Sequence, residues 1–238
     1  MIYAGILAAG IGTRMHRQDM PKQFLPLGEK PILIHTLEQF AINSNIGRVV
    51  IIVPEEWKLY AEDMLSQYNL TNTEYSVISG GVNKTESVGI SVSYIDETWQ
   101  IQESDILIAH DAIRPFITQR LIDDHIETVK KHGAANTAMV TNDAILVSKD
   151  GRLLDEIPNH QHLYAEQTPQ SYSLVKLKEF LKKMDDAGVS LRDESELPRL
   201  WLKAGYEMRL VRGEYFNMKI INPYDLEVAE ALLKERGA

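Results

Sequence analysis

The chain has 238 residues, 44% of them apolar and 25% charged, with no cysteine and a formal net charge of −9. That length fits one sizeable α/β domain or at most two small ones. The lack of thiols excludes disulfides and thiolate metal sites, the acidic balance argues against nucleic acid as a general partner, and no apolar run approaches the ~20 residues needed to cross a bilayer. The first residues also lack a basic-then-apolar secretory pattern, so a cytoplasmic protein with no nucleic-acid or membrane partner is expected.

In chain order, Ile2 to Leu7 reads as a buried strand that runs into Leu7-Ala8-Ala9-Gly10-Ile11-Gly12-Thr13-Arg14-Met15, with Pro21-Lys22-Gln23-Phe24 soon after. Small residues and glycines remove side chains where the chain turns, so backbone N–H groups can converge on an anion. Arg14 and Lys22 set fixed positive charge beside them, which suits a polyphosphate. A dinucleotide fingerprint would need a third glycine where Met15 stands, and a P-loop would need Gly-Lys-Ser/Thr. Gly-x-Gly alone would suggest only a structural turn. The added Arg-Met and Pro-Lys-Gln-Phe favour nucleotide binding.

Pro31 to Leu37 begins a helix with proline in its first turn. Arg48 to Val53 is a β-branched strand of the kind buried on both faces. A helix over Glu55 to Tyr68, a strand over Tyr75 to Ser79, a helix over Thr85 to Glu97 and strands at Asp105 to His110 and Ala138 to Thr141 follow. This alternation predicts a mainly parallel sheet with flanking helices. Ligands bind beyond the carboxyl ends of such strands, where Gly10–Arg14, Gly80–Ser87 and His110–Pro115 all fall.

Residues 142–164 break the rhythm. Ala144 to Val147 and Arg152 to Leu154 flank Lys149-Asp150-Gly151, a hairpin turn. A lone hairpin is marginal in water, so this one is expected to serve as an arm that joins two copies; lying flat on its own domain is the alternative. Further on come a helix over Leu174 to Asp186, a polar stretch from Arg192 to Glu196, a strand over Glu207 to Val211, and a last helix over Tyr224 to Lys234 capped by Asn222-Pro223. Asp123-Asp124 and Asp185-Asp186 read as solvated helix ends, and His160-x-His162 as a solvated face.

Several residues are candidates for chemistry. Gly80-Gly81 lets the backbone approach a flat base, and Ser87 either bonds there or caps the helix. Asp111, in His110-Asp111-Ala112-Ile113-Arg114-Pro115, is a candidate ligand for Mg²⁺, and Arg114 for a second phosphate; an Asp–Arg pair holding the loop is the plainer reading. Lys219 lies between apolar neighbours, where an unpaired ammonium is costly and a phosphate would relieve it.

Together, Leu-Ala-Ala-Gly-x-Gly-x-Arg-Met, Pro-Lys-Gln-Phe, Gly-Gly-x-x-Lys-x-x-Ser-Val, His-Asp-Ala-Ile-Arg-Pro, Gln-Thr-Pro-Gln and Asn-Met-Lys-Ile resemble the sugar-alcohol-phosphate cytidylyltransferase family, from Ile2 to about Leu233. The resemblance implies a single domain over 1–238 with a nucleotide-diphospho-sugar transferase sheet, CTP as nucleotide, Mg²⁺, and a homodimer joined through an arm at 142–164. It implies that Leu7, Ala8, Ala9, Gly10, Gly12, Gly81, Val82, Lys84 and Ser87 bind the nucleotide, that Arg14, Lys22 and Lys219 are catalytic, and that Asp111, Arg114, His160, Arg192 and Lys219 bind the acceptor. An acceptor phosphate would attack the α-phosphorus of CTP and expel pyrophosphate. The family includes enzymes acting on 2-C-methyl-D-erythritol 4-phosphate and on ribitol 5-phosphate. Relative to the erythritol pattern Asp-Thr-x-Lys, this chain has Asp143-Ala144-Ile145-Leu146; His160 replaces an arginine, and Arg192 a threonine. Ile32 to Thr36, Arg114 to Thr118 and Ile157 to Tyr164 look more like the ribitol enzyme, whose product CDP-ribitol serves ribitol-containing wall polymers such as teichoic acid. A reductase that makes ribitol phosphate is a further expected partner.

Overall fold

The computed structural model describes residues 1–10, 20–68, 70 and 73–235. Apolar and small residues open the chain as β1 (Ile2–Leu7), buried along its middle. A short antiparallel pair, β2 (Pro26–Leu27) and β3 (Lys30–Pro31), turns at Gly28, whose φ of 63° suits a residue without Cβ. Then come α1 (Ile32–Ala41), β4 (Arg48–Val53), α2 (Lys58–Gln67), β5 (Glu74–Ser79), α3 (Lys84–Trp99) and β6 (Ile106–Asp111). The second half holds α4 (Gln119–His132), β7 (Ala134–Val140), β8 (Tyr164–Ser173), α5 (Leu174–Asp186), α6 (Leu197–Lys203), β9 (Arg209–Arg212) and α7 (Pro223–Glu235).

The large sheet has the order β5-β4-β1-β6-β8-β7-β9. Its pairs are parallel except those of β8, which runs antiparallel to β6 and β7. Alternating strand residues feed a core on each face. Ala4, Ile6, Val49, Ile51 and Ile108 pack with Leu33, Leu37, Ala61 and Ile122 on one side. Tyr3, Val50, Ile52 and Leu107 pack with Val92, Leu177, Phe180 and Trp201 on the other. Each such Ile or Leu contributes roughly 1.5–3 kcal/mol by leaving water. The chain winds outwards from β1 through β4 to β5, then crosses back to β6 on the other side of β1, so the connections part at the carboxyl end of β1.

The expected α/β sheet with flanking helices is present, and the differences are local. β7 starts at Ala134, not Ala138, because small residues Ala134 and Ala135 pack under helices without a β-branched signature. Gln167-Thr168-Pro169-Gln170 lies within β8, with a register shift opposite Asn136/Thr137 that accommodates the proline. Asp123-Asp124 is not a helix end: it sits within α4, where Asp123 accepts from Asn43 and Asn45 and Asp124 pairs with Arg120. The two strands expected in the arm do not form. Among the described residues that segment keeps one bridge, Val147↔Glu156, around the Gly151 turn. Its apolar residues, Leu146, Leu153, Leu154 and Ile157, are all exposed, so no packing partner pins a longer ladder.

Candidate active site

Backbone bonds carry the pairing just past the strand ends. Ala8 N–H donates to Ile52 O at 2.7 Å, Gly80 N–H to Val53 O at 2.8 Å, and Ala112 N–H to Leu7 O at 3.1 Å. The loops after β1, β5 and β6 therefore leave from one edge and enclose a cleft of about 460 Å³, a volume suited to a nucleotide-sized ligand. Leu7, Ala8, Ala9 and Gly10 line one side, Gly81, Val82, Asn83, Lys84 and Ser87 another, and Lys22, Asp111 and Lys219 stand among them. Gly12 and Arg14 lie outside the described residues.

Gly80 is needed for closeness: a Cβ there would lie 2.5 Å from that of Ala9 and 2.8 Å from Ile52 Cγ2. The turn that follows is fixed from below. Ser87 Oγ accepts from Gly81 N–H at 3.1 Å and donates to Asn83 O at 2.8 Å. The cap of α3 belongs to Asn83, not Ser87: Asn83 Oδ1 accepts from Glu86 N–H at 2.8 Å. Asn83 Nδ2 also donates to the carbonyls of Leu191 and Arg192, at 3.0 and 2.9 Å, and ties the loop before α6 to the turn. Glu86 accepts from Val82 N–H at 2.6 Å and from Arg192 Nε at 2.7 Å. The guanidinium of Arg192 is thus paired beside Val82 and does not line the cleft.

At the end of β6 the sequence places a buried carboxylate among cations. Asp111 Oδ1 is 3.3 Å from Lys84 Nζ; Oδ2 is 2.9 Å from Lys219 Nζ and 3.3 Å from Arg114 Nε. Burial by itself would raise the Asp111 carboxyl, but Lys84, Lys219 and Arg114 outweigh it and hold it well below the usual carboxylate range. Burial lowers Lys219 and outweighs Asp111 there, whereas Lys84, also opposed by burial, is raised by Asp111 and Glu196. Arg114 also donates to Asn217 O at 2.8 Å and is absent from the cleft lining, so the plainer reading of it, a loop-holding pair, is what the structure shows. Lys219 has Asp111 where a phosphate was expected.

A chain of buried hydrogen bonds sets this loop. Arg114 O can only accept, so His110 Nε2 carries the proton at 3.0 Å; His110 Nδ1 then accepts from Thr168 Oγ1 at 3.0 Å. Thr168 Oγ1 in turn accepts from Asp111 N–H at 3.1 Å. His125 bridges Ser171 and Thr137, each at 2.8 Å, beneath the same strands. Burial lowers His110 from 6.5 to about 4 and His125 to about 3. The unfolded chain takes up these protons near the ordinary histidine value, whereas the folded chain resists until near or below 4. Stability is therefore full above 6.5 and falls as pH drops towards about 4, by up to about 1.4 kcal/mol per pH unit for each histidine. Urea midpoints measured between about pH 7 and about pH 5 are expected to show this slope; a flat profile would contradict it.

Asp111, the expected Mg²⁺ ligand, has both its oxygens beside cations, and the described residues hold no cluster of three or more His, Asp or Glu placed to bind a metal. His160 sits on an exposed turn of the arm, away from its own chain's cleft. Three residues that line or frame the site went without a role in the sequence. Gln23 donates to Ala8 O, Asn83 clasps two walls, and Glu196 lines the cleft beside Ser195. Asn83 had a signal, since Asn-x-x-Glu before a helix is a capping pattern. Glu196 had none.

A strand-end cleft walled by turning backbone and cations, on a sheet with helices on both faces, is the place where α/β proteins bind nucleotides and other phosphorylated ligands. The family model described as IspD, 2-C-methyl-D-erythritol 4-phosphate cytidylyltransferase, matches residues 2–235, and the chain belongs to that family of CTP-dependent cytidylyltransferases. Its fold is shared with solved proteins. One described as 4-diphosphocytidyl-2C-methyl-D-erythritol synthase, from Anaerococcus prevotii, is 23% identical with a TM-score of 0.80, over 98% of each chain. Those described as 2-C-methyl-D-erythritol 4-phosphate cytidylyltransferase from Francisella tularensis (24% identity, TM-score 0.77, 97% of this chain and 98% of that) and Thermus thermophilus (23%, 0.75, 98% and 100%) are similar.

Proposed function

We propose that the chain transfers the cytidylyl group of CTP to D-ribitol 5-phosphate, giving CDP-ribitol and pyrophosphate. The observation that carries the chemistry is the Lys84–Asp111–Lys219 cluster beside Lys22 in one cleft. Base and ribose lie on the backbone of Ala8 to Gly10 and Gly81 to Val82; Lys22, with Arg14, takes the triphosphate. The acceptor phosphate displaces Asp111 from Lys84 and Lys219, which hold it in line with the α-phosphorus. That nucleophile is already anionic, so no general base is required. Rate comes from positioning and from neutralising charge that grows on the α-phosphoryl oxygens. The Mg²⁺ of the resemblance would take its oxygens from the phosphates and water, and no step here depends on it. Exposed Leu146, Leu153, Leu154 and Ile157 support pairing of two copies through the arm, which would bring His160 to the other copy's cleft.

The choice of ribitol rests on the acceptor-end residues, where Ala144 and Leu146 lack the hydroxyl and ammonium of the erythritol pattern. A second reading, 2-C-methyl-D-erythritol 4-phosphate, is favoured by the description of the family model and by those of the solved relatives. Pyrophosphate release with CTP and each polyol phosphate, measured side by side, decides between them. The first reading expects kcat/KM for ribitol phosphate to be higher by roughly tenfold or more, about 1.4 kcal/mol. Preference for the erythritol compound would install the second, and release with neither would remove both.

A further inference from the structure

Among the cations, the cleft also holds a carboxyl with no assigned task. Glu196, on the loop entering α6, lines the cleft together with Lys84 and Lys219. Glu166 on β8 is its acidic neighbour: burial first, and then Glu166, raise the Glu196 carboxyl against the pull of Lys84. Glu166 is held in turn by Asn136 Nδ2 at 2.6 Å and Gln170 Nε2 at 2.9 Å, a register pair that lies across the β7/β8 shift from it. Two buried groups of this neighbourhood, Asn136 Oδ1 and the Tyr172 hydroxyl, take no hydrogen bond among the described residues. Tyr172 is itself fully buried and feels the charge of both glutamates.

A partly buried carboxyl at a cleft wall, with a second acidic group behind it, costs stability unless something uses it. A ligand rich in hydroxyls does so, because carboxylate oxygens accept strongly from O–H donors. The lysines suit a phosphate, and the Glu196 carboxyl in the same cleft suits a carbon chain bearing hydroxyls.

We propose that Glu196, supported by Glu166, accepts hydrogen bonds from the hydroxyl groups of the acceptor and so selects a polyol phosphate over a plain alkyl phosphate. This deepens the reading above and rests on it. Glu196 is a specificity-determining residue in this scheme and Glu166 a positioning one.

The test compares wild type, Glu196→Ala, Glu196→Gln and Glu166→Gln, with CTP and either D-ribitol 5-phosphate or n-butyl phosphate as acceptor. Melting curves confirm that each variant folds. Glu196→Ala is expected to raise KM for the polyol phosphate roughly tenfold or more. It should leave KM for CTP nearly unchanged and narrow the preference over butyl phosphate. Glu196→Gln, which keeps an oxygen acceptor, should lose less, and Glu166→Gln should shift the polyol KM alone. An equal loss on both acceptors, or a change in KM for CTP instead, would overturn the assignment. Failure of the parent reading is separate and visible first: wild type would then release no pyrophosphate with either polyol phosphate, and the assignment would fall with it.

Discussion

Asp111→Asn is expected to lower the melting temperature, and added pyrophosphate is expected to restore more of it than it adds to wild type. The reason is the charge balance at the end of β6. In the native chain one carboxylate faces Lys84, Lys219 and Arg114 at 2.9–3.3 Å. Asparagine keeps the shape but leaves the cations facing one another, as when one partner of a buried pair is removed. Lys84 and Lys219 reach solvent through the cleft, so the cost is discounted for screening to about 2–3 kcal/mol. In a domain of this size that is a fall of roughly 4–12 °C. An anion that binds between the lysines replaces the missing charge and stabilises the variant by mass action. A variant that melts with wild type, or that gains no more from pyrophosphate, would show that Asp111 does not set the field of the cleft.

The same cluster shows what a sequence can and cannot disclose. β1, β4 and β6 were legible because runs such as Val49 to Val53 are apolar along their whole length, and helix–strand alternation then places their loops on one edge. Lys84 and Asp111 fall in loops expected at such an edge, and Lys219 stands out in the sequence as an ammonium between apolar neighbours. Their mutual pairing was not legible: the residues are far apart in sequence, and only the folded sheet brings them together. β8 was obscured because proline and polar residues interrupt it, while its neighbours on both sides supply the pairing that local propensity does not. The arm erred the other way. Its residues have the alternation and turn of a hairpin, but Leu146, Leu153 and Leu154 are exposed among the described residues, and a ladder without a packed face is marginal. Glu196 left no trace at all, because a glutamate in a polar stretch looks solvated until the opposite wall of the cleft is known.

Lys22→Ala is expected to keep the fold and most CTP affinity while turnover falls by roughly 10²–10³, the scale seen when one preorganised charge-stabilising group is removed. Lys22 is buried at the cleft wall on a short turn, Lys22–Phe24. Gln23 ties that turn to Ala8 O, and Phe24 packs on Trp57 and Tyr60 with ring centroids 5.5 and 5.1 Å apart. Removing the ammonium should therefore leave the floor beneath the nucleotide in place. What it removes is a fixed cation where negative charge grows as the acceptor phosphate attacks, an interaction stronger in the transition state than in the bound substrate. The loss should appear in kcat far more than in the KM for CTP, as measured by steady-state pyrophosphate release with melting curves as the control for folding. Lys22→Arg would separate charge from placement: a guanidinium keeps the charge but not the compact reach of the ammonium, so partial recovery points to charge and none to position. If Lys22→Ala turned over at the wild-type rate, the proposed role of this residue in the chemical step would be wrong, and the burden of charge neutralisation would pass to the remaining cations of the cleft.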